Sequence, residues 1–308
     1  MSQKYYLGID LGTSSVKAVL CDEDANIIAH HAIAYPLQTP KPQIAEQDPE
    51  IIFKATIDVI RATIRHIPIH SLQFISFSSA MHSFIAVDHN GIPLTQNITW
   101  ADTRSAPYVD RILEQYAGHD IYKRTGTPIH AMSPFVKLVW FKEEHPDLFQ
   151  RATKFISIKE YIFYKLFGTY IVDHSIASAT GLLNIHTLTW DDEALAIAGI
   201  REDQLSTIVP TTFHITGLHK KYREAMGLTK DIPFIIGASD GVLANVGVGA
   251  VDSEVVALTI GTSGAIRTIT NQPKTDLKGR TFCYALTESH WVIGAPVNSG
   301  GIILRWLK

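Results

Sequence analysis

The chain opens on three short runs with strand character, Tyr5–Ile9, Val16–Cys21 and Ile27–Ala32, joined by Gly12-Thr13-Ser14 and by Asp22–Asn26. Apolar and β-branched runs broken by turn residues predict an antiparallel meander. Pro36, Pro40 and Pro42 then mark an extended connection. Asp48-Pro49-Glu50 has the composition of a helix start: a capping aspartate, proline at the first helical position and an acid in the first turn. The following helix places Ile52, Ala55, Val59 and Ala62 on one stripe and ends near Pro68. Phe74–Ser78 reads as a buried strand followed by a loop at Ser79–Ser83, and Asn90-Gly91 between Phe84–Val87 and Pro93–Leu94 reads as a hairpin turn.

From Ser105 to about Leu205 the spacing is helical, as in Val109–Tyr116, Phe135–Glu144 and Ile158–Leu166. Strand character returns at Phe234–Ile236, Val255–Ile260 and Trp291–Ile293. Strands, a helical middle and strands again predict an α/β domain with a helical insertion. The boundary is expected in the glycine-spaced stretch Gly241–Gly249, giving one domain over 1–245 and the beginning of a second over 246–308.

Composition narrows the function classes. Hydrophobic residues make up 46% of 308 residues, enough for a large core, and the net charge is −3 with no basic block. Nucleic-acid and membrane-surface partners therefore lose support. Two distant cysteines, Cys21 and Cys283, suit a reducing compartment and neither a disulfide framework nor a zinc site. With no leader pattern and no long apolar run, a cytoplasmic protein is expected. The fourteen histidines form no ligand pattern. Hydrolase and thiol-enzyme readings are set aside, and no Gly-x-x-x-x-Gly-Lys-[Ser/Thr] run supports a P-loop.

The chemistry points elsewhere. Gly8-Ile9-Asp10-Leu11-Gly12-Thr13-Ser14 is a strand running into a Gly-Thr-Ser turn, echoed by Thr259-Ile260-Gly261-Thr262-Ser263-Gly264. Glycine in such a turn allows successive N–H groups to converge on an anion, and the hydroxyls of Thr13 and Ser14 add donors. Asp10 ends the incoming strand of the first turn only and is placed to hold a metal directly or through water. Gly237-Ala238-Ser239-Asp240-Gly241 follows an apolar run, so Asp240 stands at a strand's carboxyl end, either as a proton acceptor in phosphoryl transfer to an alcohol or as a helix cap. Met81-His82-Ser83 and Trp100-Ala101-Asp102-Thr103-Arg104 place polar groups beside an aromatic, suited to a polyhydroxylated ligand, and Arg104 is able to pair with a carboxylate.

Together these residues resemble the FGGY family of carbohydrate kinases, within the sugar kinase, actin and Hsp70 (ribonuclease H-like) superfamily. Met132–Glu144 fits the family's first sequence pattern at each constrained position, Asp173–Leu183 followed by Trp190 resembles the segment that closes the sugar site, and Glu46-Gln47-Asp48-Pro49 matches the family's helix start. The resemblance implies Mg²⁺ at Asp10 and ATP phosphates at Gly12, Thr13, Ser14, Gly261 and Thr262. It implies Asp240 as general base and Met81, His82, Asp102 and Arg104 at the sugar. Ile98–Asp102, Ser79–Ser83, Gly237–Gly241 and Gly264–Thr268 look most like the members acting on gluconate, forming 6-phosphogluconate, with xylulose as the alternative. A sugar acid would supply an anion for Arg104 or His82 to meet.

The implied partner is thus a small sugar or sugar acid, and a homodimer stays open. Family members carry a longer second domain with an adenosine-binding loop, so the resemblance implies a chain whose ATP half is incomplete at Lys308, with little turnover alone and apolar surface uncovered on Val255–Ile260 and Trp291–Ile293. A sugar-binding remnant without turnover is the alternative from another class, although binding alone needs neither Asp10 nor Asp240.

Overall fold

A computed structural model describes residues 3–260 and 264–297. The meander forms as its pattern predicts: Tyr5–Leu11, Ser15–Asp22 and Ile27–Ala34 pair antiparallel in sequence order. On its other side Tyr5–Leu11 pairs in parallel with Leu72–Ser79, which in turn pairs in parallel with Phe234–Ser239, and the short strand His214–Ile215 completes a six-stranded mixed sheet. One face of this sheet buries Leu7, Ile9, Val16, Ala18, Ile75 and Phe77 against the helices Pro49–Ile64 and Ile158–Phe167.

The first of those helices starts where its sequence directs. Asp48 Oδ1 accepts the N–H groups of Glu50 (2.8 Å) and Ile51 (3.4 Å), and Pro49 occupies the first helical position. Its buried stripe runs through Ile52, Phe53, Thr56, Ile60 and Ile64, while Ala62 is only half-buried.

The helical middle contains Tyr108–Gln115, Pro134–Glu144 and Ile158–Phe167, each within a residue of its expected position. It also carries small strand pairs the periodicity does not reveal, Ile171–Asp173 with Thr207–Val209 and Lys154–Ile156 with Ile85–Val87. Pieces of three residues are too short for a period to register. Within the glycine-spaced stretch lies a helix, Asp240–Gly247, beginning directly at the end of strand Phe234–Ser239.

Beyond it, Val256–Ile260, Gly264–Thr270, Trp291–Val297 and Phe282–Ala285 form a four-stranded antiparallel sheet. One end of this sheet is tied to the helical middle. Tyr122 donates to Thr281 O (2.7 Å), Cys283 N–H to Gly126 O (2.8 Å) and Trp291 Nε1 to Ile185 O (3.1 Å). The expected exposure therefore holds only in part: Leu258 and Ile260 are 65% and 67% exposed, but Trp291 and Val292 are buried in the cores shared with the helical middle.

Candidate active site

The three parallel strands bring their carboxyl ends to one edge of the sheet, the place where open α/β sheets bind ligands. In register, Asp10 lies opposite Ser78 and Ser78 opposite Ala238. Asp10 and Asp240 thus approach from either side of Leu72–Ser79, which contributes only a serine between them; Ser78 Oγ donates to Asp10 Oδ1 at 3.1 Å. Asp240 is the first residue of its helix, and its own Oδ1 accepts the Gly241 N–H (2.8 Å), so the capping alternative is replaced by a carboxylate that folds onto its own helix start.

Asp240 is solvent-accessible, but crowding by surrounding protein, with Asp10's charge added, pushes its carboxyl up to about 6. The Gly241 N–H, Arg267 and Lys159 pull in the opposite direction. A base must be ionised to accept a proton, so proton transfer to Asp240 should rise with pH through about 6 and level off above it. A pH–rate profile flat between about 5 and 8 would contradict this assignment.

The first turn is built differently from the expectation. Gly12 has no positive φ; its N–H donates to Ser15 O (3.1 Å), and a Cβ would sit 3.1 Å from that same oxygen. Close approach, not left-handed backbone, explains the glycine. The N–H groups of Thr13 and Ser14 have no backbone partner among the described residues, so these two, with the exposed Ser14 side chain, are the donors an anion would find. The hydroxyl of Thr13 accepts the indole N–H of Trp100 (2.9 Å), joining the turn to the Trp100–Arg104 loop. Gly261 and Thr262 lie outside the described residues.

His82 has φ 65°, a left-handed conformation that costs a non-glycine residue on the order of 1 kcal/mol or more. Three bonds hold it there. Its Nδ1 lies 2.8 Å from Ala179 O, its Nε2 3.3 Å from the Tyr284 hydroxyl, and its carbonyl accepts from Lys137 Nζ at 3.0 Å. Nδ1 must donate to a carbonyl, which leaves Nε2 to accept from Tyr284. Burial, with Lys137's charge added, drives the ring's pKa down to about 3. His82 is therefore neutral and fully bonded within the protein, and it does not meet a substrate anion as expected.

Arg104 is likewise engaged. Its guanidinium pairs with Asp102 (2.9 Å) and with Glu46 and stacks over Trp140. Asp102, 1% exposed, accepts from Ala45 N–H and from Arg104. The carboxylate Arg104 pairs with is the protein's own, and Asp102 holds that arginine instead of facing a ligand.

Two further cations were missed in the sequence. Lys137, in the apolar helix Pro134–Glu144, is wholly buried, donates to His82 O and Met132 O, and has its pKa lowered to about 7 by burial. A lysine inside an apolar run was its only signal. Arg267 leans across the cleft from the second sheet. A Cβ on Gly241 would lie 3.7 Å from its Nε and Nη2 and 2.6 Å from Met81 Cε. Its Nη1 donates to Thr259 Oγ1 (3.2 Å), but its Nε is buried without a partner among the described residues.

The hydrolase reading was set aside without a sequence ground: Gly237–Gly241 spells Gly-x-Ser-x-Gly, the form of a nucleophile elbow, which the sequence alone does not exclude. The structure does: Ser239 is fully buried and its hydroxyl is bonded to Ser175 Oγ at 2.8 Å. No cluster of three or more His, Cys, Asp or Glu suited to a metal occurs among the described residues. Asp10 suits Mg²⁺, which takes one or two carboxylates and completes its shell with water and phosphate, and Asp240 is left free.

Residues 5–247 match the model of the N-terminal domain of the FGGY family of carbohydrate kinases. The chain belongs to that family. It is 55% identical to a gluconokinase of Bacillus licheniformis over 99% of its own length and 59% of the relative's. A gluconate kinase structure from Lactobacillus acidophilus superposes with a TM-score of 0.96 at 41% identity, over 99% of this chain and 62% of that one. A structure described as a ligand-bound xylulose kinase from the same organism gives the same TM-score and identity over 98% and 62%. The chain thus spans about three-fifths of the length of the proteins it matches. The α/β fold of sugar kinases, actin and Hsp70 expected from the residues is the observed one. No helix among the described residues is long and apolar enough to cross a membrane.

Proposed function

We propose that the protein phosphorylates D-gluconate to 6-phosphogluconate at the expense of ATP. The observation that carries the reading is the placement of Asp240 beside Asp10 at the carboxyl end of the central sheet, with its carboxyl raised to about 6. Asp240 accepts the proton of the acceptor hydroxyl as that oxygen bonds to phosphorus, and Met81 forms the wall beside it. MgATP, when bound, supplies the phosphoryl group and the metal charge that neutralises it. Asp10 is proposed to hold the magnesium, with Gly12, Thr13, Ser14, Gly261 and Thr262 around the phosphates. The first domain, over 1–245, would carry sugar and base, and 246–308 would begin the ATP side.

The name of the Bacillus licheniformis relative favours gluconate over xylulose. Arg267 is proposed as the cation that receives the sugar acid's carboxylate, since Arg104 and Lys159 are already paired with carboxylates and His82 is neutral. Xylulose is the second reading, favoured by the name of one solved neighbour. Calorimetric titration of the protein with each compound separates them. Gluconate should bind and xylulose bind at least about tenfold more weakly, and Arg267→Met should weaken gluconate by about 10–100-fold, the loss of a charge-assisted hydrogen bond. Binding of xylulose with none of gluconate would overturn the substrate assignment.

A further inference from the structure

The strand that delivers Asp240 is irregular just before it. Its register against Leu72–Ser79 shifts between Ile235 and Ala238, and Gly237 takes φ 65°. A strand interrupted there loses ladder bonds that would otherwise fix its last residues. The missing constraints are supplied from the helical middle. Lys159, 1% exposed on helix Ile158–Phe167, directs its ammonium at the carbonyls of Ile236 and Ala238 (3.1 Å each), the two residues flanking Gly237.

Its charge is met by Asp173 Oδ2 at 2.6 Å, itself wholly buried. The other oxygen of Asp173 accepts the N–H groups of Ser175 and Ile176 (3.0 Å each), capping the helix His174–Ser178. From that helix Ser175 Oγ donates to Ser239 Oγ (2.8 Å) and accepts the Ser239 N–H (3.1 Å). Residues 236, 238 and 239 are therefore held by one connected network that ends one residue before Asp240. Burying a charge pair is costly and has no need of a helix start this elaborate unless position matters.

We propose that Lys159, Asp173 and Ser175 form a clamp that fixes Asp240 for proton acceptance, making them positioning residues for phosphoryl transfer. This rests on Asp240 being the base. The ammonium also faces Asp240 electrostatically, together with Asp10 from the first strand and Arg267 from the second sheet.

The test uses two variants of the protein. Ser175→Ala removes both bonds to Ser239 while leaving the ion pair. The pair Lys159→Met with Asp173→Asn removes both charges at once, so no unpaired charge stays buried, and asparagine can still cap the helix. Each should lower kcat for gluconate by about 10–100-fold, the cost of a small misplacement of a catalytic group, with KM for gluconate little changed and a cooperative unfolding transition retained. The double variant alone should also move the acid limb of the pH–rate profile upward, because one cation facing Asp240 is gone. Folded variants with wild-type kcat would overturn the clamp. Absence of gluconate turnover in the wild-type protein would instead overturn the functional reading beneath it.

Discussion

If the proposed reading holds, Asp240→Asn should lower gluconate phosphorylation by about 10²–10⁴-fold, the usual contribution of a general base, while gluconate binding stays close to wild type. Asparagine keeps the size of the side chain and can still accept the Gly241 N–H, so the helix start at Asp240–Gly247 survives. It cannot take a proton from an alcohol. The variant also removes the carboxylate whose ionisation is opposed by its surroundings. A carboxyl raised to about 6 in the folded protein favours folding most at low pH and loses that advantage as pH rises through about 6. Asp240→Asn should therefore be at least as stable as wild type at neutral pH while nearly inactive. Steady-state kinetics paired with thermal unfolding check both halves. An Asp240→Asn protein that is folded and retains a tenth or more of wild-type kcat (roughly one decade) would remove Asp240 from the role of base.

Gly237→Ala is expected to be the most damaging conservative change in the sheet. Its φ of 65° disfavours any side chain, and a Cβ built there would lie 1.8 Å from Phe77 O, a backbone atom of the neighbouring strand that cannot swing aside. Left-handed strain and forced separation of the two strands together cost on the order of 3–5 kcal/mol. Gly241→Ala is the control. Its φ is not positive, and the atom a Cβ would meet first is the flexible end of Met81, so a cost of about 1 kcal/mol is expected. Urea unfolding of the two variants measures the contrast, and a Gly237→Ala protein as stable as Gly241→Ala would refute it.

Gly237 also shows where sequence reading stops. A glycine just before Asp240 does not say what packs against it; what approaches Gly237 is the carbonyl of Phe77, from a strand about 160 residues earlier by numbering. Local signals carried well. The meander, the Asp48 cap, the strand ends at Asp10 and Asp240 and the main helices all follow from propensity and turn chemistry over a few neighbouring residues. Strand order did not: nothing local says that Leu72–Ser79 inserts between Tyr5–Leu11 and Phe234–Ser239 and puts Ser78 between the two carboxylates.

Charged residues were the least legible. Arg104 and His82 sit in the loops a sugar site would use, but one is neutralised by Asp102 and Glu46 and the other is uncharged and bonded at both ring nitrogens. Lys137 and Lys159 are ordinary helix residues by sequence and wholly buried in the fold. Whether a charge faces ligand, partner or solvent depends on what the chain packs against it, and periodicity does not encode that. Trp291 follows the same rule: expected on an uncovered strand, it is buried because its indole N–H reaches Ile185 O in the helical middle.

The central claim is that Asp10 and Asp240 serve phosphoryl transfer to a sugar acid. The most direct measurement is acceptor-dependent ADP release by the protein with D-gluconate and with D-xylulose under identical conditions. Turnover on gluconate, with xylulose much poorer, is the predicted result. Turnover on xylulose with none on gluconate would contradict it.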